Sequence, residues 1–236
     1  YKEIIMIKKT ITTFLVVSTV WAFTLSKSVA VDLVDGMSFA LGVTGSAGAF
    51  SGSGEETEGT SGEVNKSEGS ELMAIAIPSI FGEVTIADRL TVGFDYTSLS
   101  EDTEVQSRTD NAANEAEGIS STGNTGTSTI QASFENIVTA YAELNLIGGM
   151  FVTMGHMQMD INTKENLHTE SSYGNITIDG TMYGVGHKSN FDGWYLKTSA
   201  VVTDWDDFTI LAASSSSGTA NGNKVDGKIN GVMAKV

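Results

Sequence analysis

The chain has 236 residues, no cysteine and a single proline, and it carries 29 acidic against 13 basic residues. That length suits one domain or two small ones. The missing cysteine excludes disulfides and thiolate metal sites, and the acidity excludes nucleic acid as a partner, because no basic patch exists to meet phosphates.

In chain order, the first feature is an address. Tyr1 to Ile5 precede Met6, which reads as a start methionine. Lys8 and Lys9 then lead into the apolar run ITTFLVVSTVWAFTL, followed by Ser28-Val29-Ala30. A basic segment, an apolar run and small residues at the two positions a signal peptidase reads make a secretory leader. The run is too short and too rich in threonine and serine for a spanning helix. Cleavage is expected between Ala30 and Val31. The chain then divides into 1–30, upstream residues plus leader, and 31–236, the mature domain. Losing Lys2, Lys8, Lys9, Lys27 and Glu3 leaves 9 basic and 28 acidic residues, a net charge of −19.

Eight segments of the mature chain have strand character: 37–50, 71–80, 89–100, 134–147, 150–161, 178–188, 193–208 and 226–236. Most alternate apolar with polar residues, many are β-branched or aromatic, and none sustains a helical apolar stripe. Pro78 falls near the end of the second, where a missing N–H is tolerable. The connections alternate in length. Those at 51–70, 101–127, 162–177 and 209–225 are long and polar. FGEVTIAD, Gly148-Gly149 and SNFD are short, the two glycines allowing a tight reversal through positive φ. The first two long connections are low in complexity, with five glutamates and one lysine in 51–70 and six acids and one arginine in 101–127. They are expected to be mobile.

An up-and-down sheet would put every long loop at one end and every short turn at the other. An outer-membrane barrel has short periplasmic turns, long extracellular loops and an even strand count. Closure also removes the exposed edges that invite pairing between chains. Aromatics cluster near both rims, with Phe39, Phe81, Phe151, Phe191, Trp194 and Tyr195 at the short-turn end. Phe50, Tyr96, Phe134, Trp205 and Phe208 lie at the other end, the pattern of interfacial girdles.

With this leader, these strands, the motif LTVGFDYTSL and the hairpin AELNLIGGMFVTMG, the chain resembles the opacity-type eight-stranded outer-membrane barrels over residues 31–236. The resemblance implies an all-β fold, an eight-stranded antiparallel up-and-down transmembrane β-barrel in the bacterial outer membrane. Such barrels end in an aromatic residue read by the insertion machinery. This chain stops at Lys235-Val236, so its last strand is expected to be truncated. The alternatives are a secreted soluble β-sandwich with a binding or adhesive role and a small porin-like channel.

In a barrel the apolar rows face lipid. Leu90, Val92, Phe94 and Tyr96 are then outside and Thr91, Gly93, Asp95 and Thr97 inside. Phe134, Val138, Ala140, Ala142, Leu144 and Leu146 are outside, with Glu135, Thr139, Tyr141, Glu143 and Asn145 in the lumen. Trp194, Leu196, Ala200 and Val202 are outside, with Tyr195, Lys197, Ser199 and Thr203 inside. The segment 150–161 does not follow one parity: Met150, Val152 and Met154 share one face, Met157, Met159 and Ile161 the other. A bulge near Gly155 would reconcile them. Eight strands leave an interior that side chains fill. A lumen charge cluster of Asp95, Glu135, Glu143 and Lys197 is expected, with Lys197 paired to Glu143 and Asp95 or Glu135 as alternatives.

No constellation of residues signals chemistry. The stretch LHTESS brings His168, Glu170, Ser171 and Ser172 together with unspecific spacing, and a triad is recognised by geometry. Neither a cofactor nor a catalytic or metal site is expected, and the chain is taken as a non-enzyme. The expected partners are outer-membrane lipid, the barrel insertion machinery and an unidentified ligand of the extracellular loops, with the barrel itself a monomer.

Overall fold

The structure, a computed structural model, describes residues 29–34, 36–60, 63–111, 125–167, 171–214 and 220–236. The apolar run at 11–25 and the part of the acidic stretch at 112–124 lie outside these residues. Among the described residues there are twelve strands: β1 (Val29–Val34), β2 (Met37–Thr60), β3 (Glu63–Ile86), β4 (Leu90–Asp102), β5 (Gln106–Asn111), β6 (Thr125–Asn145), β7 (Met150–Asn166), β8 (Ser171–Tyr173), β9 (Ile176–Phe191), β10 (Trp194–Trp205), β11 (Phe208–Ser214) and β12 (Ala220–Lys235). Every pairing is antiparallel. β2, β3, β4, β6, β7, β9, β10 and β12 follow one another around a ring, and β12 closes it by pairing with β2. The fold is an eight-stranded up-and-down barrel rather than two packed sheets. β1 lies beside the start of β2, with Ala30 opposite Ala40 and Val31 opposite Phe39.

The short turns gather at one rim, at 36, 87–89, 146–149 and 192–193. Gly148 and Gly149 adopt φ of 73° and 81°, as a tight reversal requires. The strands overrun their expected ends. FGEVTIAD is not a turn: 81–86 completes β3, and the reversal falls on Ala87 and Asp88, both at positive φ. At the other rim, 51–60 and 63–70 are not loop but hairpin, paired residue for residue from Met37↔Ile86 up to Thr60↔Glu63. Serine, threonine, glycine and glutamate dominate there, so the stretch reads as low-complexity loop although it continues the ladder of β2 and β3.

The register sets the geometry. Cross-strand partners lead from Ala40 to Glu83, Gly93, Tyr141, Gly155, Met182, Thr203, Gly231 and back to β2 at Phe50. One circuit therefore climbs ten residues. Eight strands with that shear tilt by roughly 40°, so each residue rises roughly 2.5 Å along the axis.

This tilt resolves the faces. On the outer surface a band of exposed apolar side chains runs around the short-turn half. It includes Leu41, Ile80, Val92, Phe94, Val152, Met154, Val185 and Val202. From Ile86, Leu146 and Trp194 at its lower edge to Val138, Val202 and Val232 at its upper edge it is roughly 20–25 Å tall. Above it the outer rows become polar, as His156, Gln158 and Asp160 on β7 show. Inside, the order is reversed. The short-turn half of the lumen is polar. The half above it holds a cluster of Phe50, Ile75, Ile77, Ile137, Met157, Met159, Ile161, Ile178, Met182, Val201, Trp205, Ile229 and Met233.

β7 therefore has no bulge at Gly155: its pairing with β6 and β9 is unbroken there. Its parity change is the barrel's change of environment. A bulge does occur in β6, between Glu135 and Val138, with Asn136 at φ 50°. The extra residue turns Phe134 inward, against the apolar cluster, and puts Glu135 opposite Asp160.

Among the described residues the aromatic girdle is largely absent. Phe191 and Trp194 stack on the outside with ring centroids 4.1 Å apart. Phe50, Phe151, Tyr195 and Trp205 are instead buried in the interior. Several inward rings lie over the glycine directly opposite: Tyr141 over Gly93, Phe151 over Gly186, Trp205 over Gly180 and Phe50 over Gly231. A Cβ at any of these glycines would collide with the ring. A narrow barrel accommodates large side chains by pairing each with the smallest residue.

Candidate functional site

The polar half of the lumen is organised around Glu83, whose side chain is 1% exposed. Alternation along β3 turns Ser79, Phe81, Glu83 and Thr85 inward. The register then brings three other strands to Glu83. Lys197 on β10 donates to Glu83 Oε2 at 2.6 Å, and Tyr195 Oη to Oε1 at 2.7 Å. Tyr141 Oη on β6 donates to Oε2 at 3.0 Å, and Lys188 Nζ on β9 stands 3.5 Å from Oε1. Lys197 also lies 2.9 Å from both oxygens of Glu143. Its ammonium sits within 6 Å of the ring centroids of Phe81, Tyr141, Phe151 and Tyr195, so an aromatic collar surrounds it. Lys188 caps the Tyr195 ring at 3.9 Å.

A second group lies higher. Asp95 accepts from Ser79 Oγ at 3.0 Å, with Thr97 Oγ1 at 3.4 Å and Lys235 Nζ at 3.6 Å. Three carboxylates and three ammoniums thus balance in the lower lumen. Between these groups and the apolar cluster is a cavity of about 60 Å³, lined by Asp95, Glu143, Thr153, Lys197, Val201 and Lys235 among others. The buried Thr153 hydroxyl on its wall has no protein partner.

Of the four residues expected in the lumen, Glu143 and Lys197 meet directly, and Asp95 is inside with a different lysine. Glu135 is not in the lumen. The β6 bulge places it on the outer row beside Asp160, where it accepts from Ser133 Oγ at 3.3 Å. Sequence reasoning missed the hub, Glu83, because FGEVTIAD was assigned to a turn. The signal was present: Phe81, Glu83 and Thr85 continue the parity of Ser79 without a break.

Among the described residues, the ion pairs neutralise one another, aromatic rings stand beside them, and an apolar cluster lies above. Moving a bare ion through such a layer is unfavourable. The histidines of the described residues stand elsewhere. His156 faces Asp179 on the outer surface at 3.2 Å, and His187 lies near Gly148 and Ser189 on the outside of the lower rim. His168 and Glu170 lie outside the described residues.

No family model matches the chain, and no curated protein does. Among solved structures the chain is similar to Neisserial surface protein A, at 12% identity and a TM-score of 0.33, over 80% of this chain and 96% of that one. It is also similar to Ail, the attachment invasion locus protein of Yersinia pestis, in complex with sucrose octasulfate. That match has 9% identity and a TM-score of 0.29, over 81% and 99% of the two chains. A Pseudomonas aeruginosa FadL homologue matches at 10% identity and a TM-score of 0.26, over 88% of this chain and 66% of that one.

Proposed function

We propose that this chain is an opacity-type bacterial outer-membrane protein that acts as a structural anchor with surface display. The observation that carries this is the double inversion of polarity. Exposed leucine, valine, methionine and phenylalanine form a band outside, over a lumen of paired charges. In water, such a band would be a large contiguous apolar patch with nothing to cover it. In a bilayer it matches the apolar height of outer-membrane barrels. Residues 1–30 direct export and are removed after Ala30, leaving 31–236 as the barrel. The barrel insertion machinery and outer-membrane lipid are its partners during assembly, and the folded protein is a monomer. The lumen is a lock, and the half of the barrel above the band meets the outside. A porin-like role requires a continuous wet path, which the apolar cluster opposes.

Heat-modifiability with cell fractionation tests this. The folded protein should fractionate with outer membranes and migrate faster unboiled than boiled in detergent gels. A soluble periplasmic or secreted species with a single band would refute it.

A further inference from the structure

β3 pairs with β2 along its whole length but with β4 only from Ile80 to Ile86. The reason is chemical. Gly45 exchanges backbone hydrogen bonds with Val236 at 2.7 and 2.8 Å, so its polar groups face β12. Pro78 lies opposite Gly45 and therefore turns its main chain the other way, toward β4. Ile80 pairs with Tyr96 as the last rung. The next residue that should donate across is Pro78, which has no N–H. The ladder ends there. Above it the main chains of Ala76, Ala74 and Leu72 point to the same open side. Among the described residues no strand pairs with 63–79 on that side. The Leu72, Ala74 and Ala76 side chains are exposed, so water-borne chains can reach this edge where it rises past the apolar band.

The second observation is charge. The described residues beyond the band, within 51–73, 99–136, 156–181 and 204–230, carry 18 acidic and 5 basic residues, a net charge of −13. Most of the mature chain's excess charge is on this face. Charge on an exposed edge blocks pairing with like-charged strands, so a second copy of this chain is a poor occupant. The same charge favours a strand of opposite sign.

We propose that the extracellular face binds an extended, lysine- and arginine-rich peptide segment as an added strand on the open edge of β3, along Leu72, Ala74 and Ala76. Main-chain hydrogen bonds supply the binding mode and the acidic hairpins attract and select the partner. This rests on the surface-display reading, and the test separates the two.

Purified barrel showing a heat-modifiable band is titrated with three short peptides. One alternates lysine and valine, one has that composition with prolines at its centre, and one alternates glutamate and valine. The first should bind, should weaken as salt rises, and should protect the amides of Leu72, Ala74 and Ala76 from hydrogen exchange. The proline-bearing peptide should bind at least about tenfold more weakly, because it cannot complete the ladder. The double variant Ala74→Pro/Ala76→Pro removes only N–H groups that face the open side, so it should keep the folded band and lose binding by a similar factor. Equal binding of the two basic peptides, or binding without amide protection, would reduce the effect to charge attraction and overturn the proposal. So would binding of the acidic peptide or an unaltered affinity in the proline variant. A barrel without a heat-modifiable band would instead refute the surface-display reading itself.

Discussion

The half of the barrel beside the short turns and the half beneath the acidic hairpins use the same strands with opposite polarity. Along β7, Met150, Val152 and Met154 face out below Gly155, while Phe151 and Thr153 face in. Above it His156, Gln158 and Asp160 face out, and Met157, Met159 and Ile161 are buried. The ladder is continuous through the change. Strand alternation alone therefore does not say which face is wet. The surroundings do, and one strand can pass from one solvent to another without bending its backbone. The lower half resembles a bilayer-embedded barrel with a charged core, the upper half a water-soluble barrel with an oily one.

The largest expected effect breaks the lower half at its centre. Lys197→Met leaves Glu143 without its lysine and Glu83 with only Lys188 as a cation. It should cost roughly 3–5 kcal/mol, read from denaturant unfolding of the folded protein in lipid vesicles. Adding Glu143→Gln should recover part of this, since it removes one of the carboxylates left unpaired. A neutral Lys197→Met would mean that the network does not hold the lower barrel.

The outer face sharpens the comparison next. Val152→Lys places a charge in the band and should cost roughly 2–4 kcal/mol. Gln158→Lys, six residues along the same row, should stay within about 0.5 kcal/mol, as an exposed site in water does. Equal costs at both positions would erase the boundary between the halves.

A smaller effect tests the filling of the lumen. Gly186→Ala drives a methyl into the Phe151 ring and the Thr198 carbonyl, and should cost about 1–3 kcal/mol. Phe151→Leu in the same chain should restore some of it if the ring is the main obstacle.

The number and order of the eight ring strands are legible in the sequence, and so is the sorting of turns, because period-two patterning and turn chemistry are local properties. The inward row of β10, including Lys197, follows from the same pattern, as does that of β4 with Asp95. Glu83 escaped because a strand end was placed six residues too early, and its parity was not followed across the supposed turn. Glu135 was misplaced by a bulge at Asn136, a residue that adopts positive φ without announcing it. The pairing of 51–60 with 63–70 is not legible because the composition is that of a mobile loop, whereas the ladder depends on the long β2 it continues. The upper core could not be assigned until the register showed that β7 leaves the apolar band at Gly155.

The smallest effects come from two acids of the upper half with opposite behaviour. Lys164 donates to Asp102 at 2.6 and 2.8 Å and, with help from Ser133, holds its carboxyl below the usual range. The contribution of that group is present above its unfolded value and fades as pH falls through the lowered one. Glu165 is raised by burial, against the pull of the Tyr173 amide at 2.7 Å. Its sign is reversed: the folded state favours the neutral acid, so its contribution is present at low pH and is lost as pH rises through its raised value. Carboxyl titration by NMR should show the two midpoints displaced in opposite directions, and Lys164→Ala should return only Asp102 toward its ordinary value.

The absence of cysteine from the chain makes the central claim directly measurable. Single cysteines placed at 150 to 161 along β7 and spin-labelled in lipid vesicles report contact with lipid-soluble and water-soluble relaxation agents. The account predicts contact with the lipid-soluble agent at 150, 152 and 154, and with the water-soluble agent at 158 and 160. Labels at 151, 153, 157, 159 and 161 should meet neither agent freely. Lipid contact at 157, 159 and 161, or water contact along the whole outer row, would contradict it.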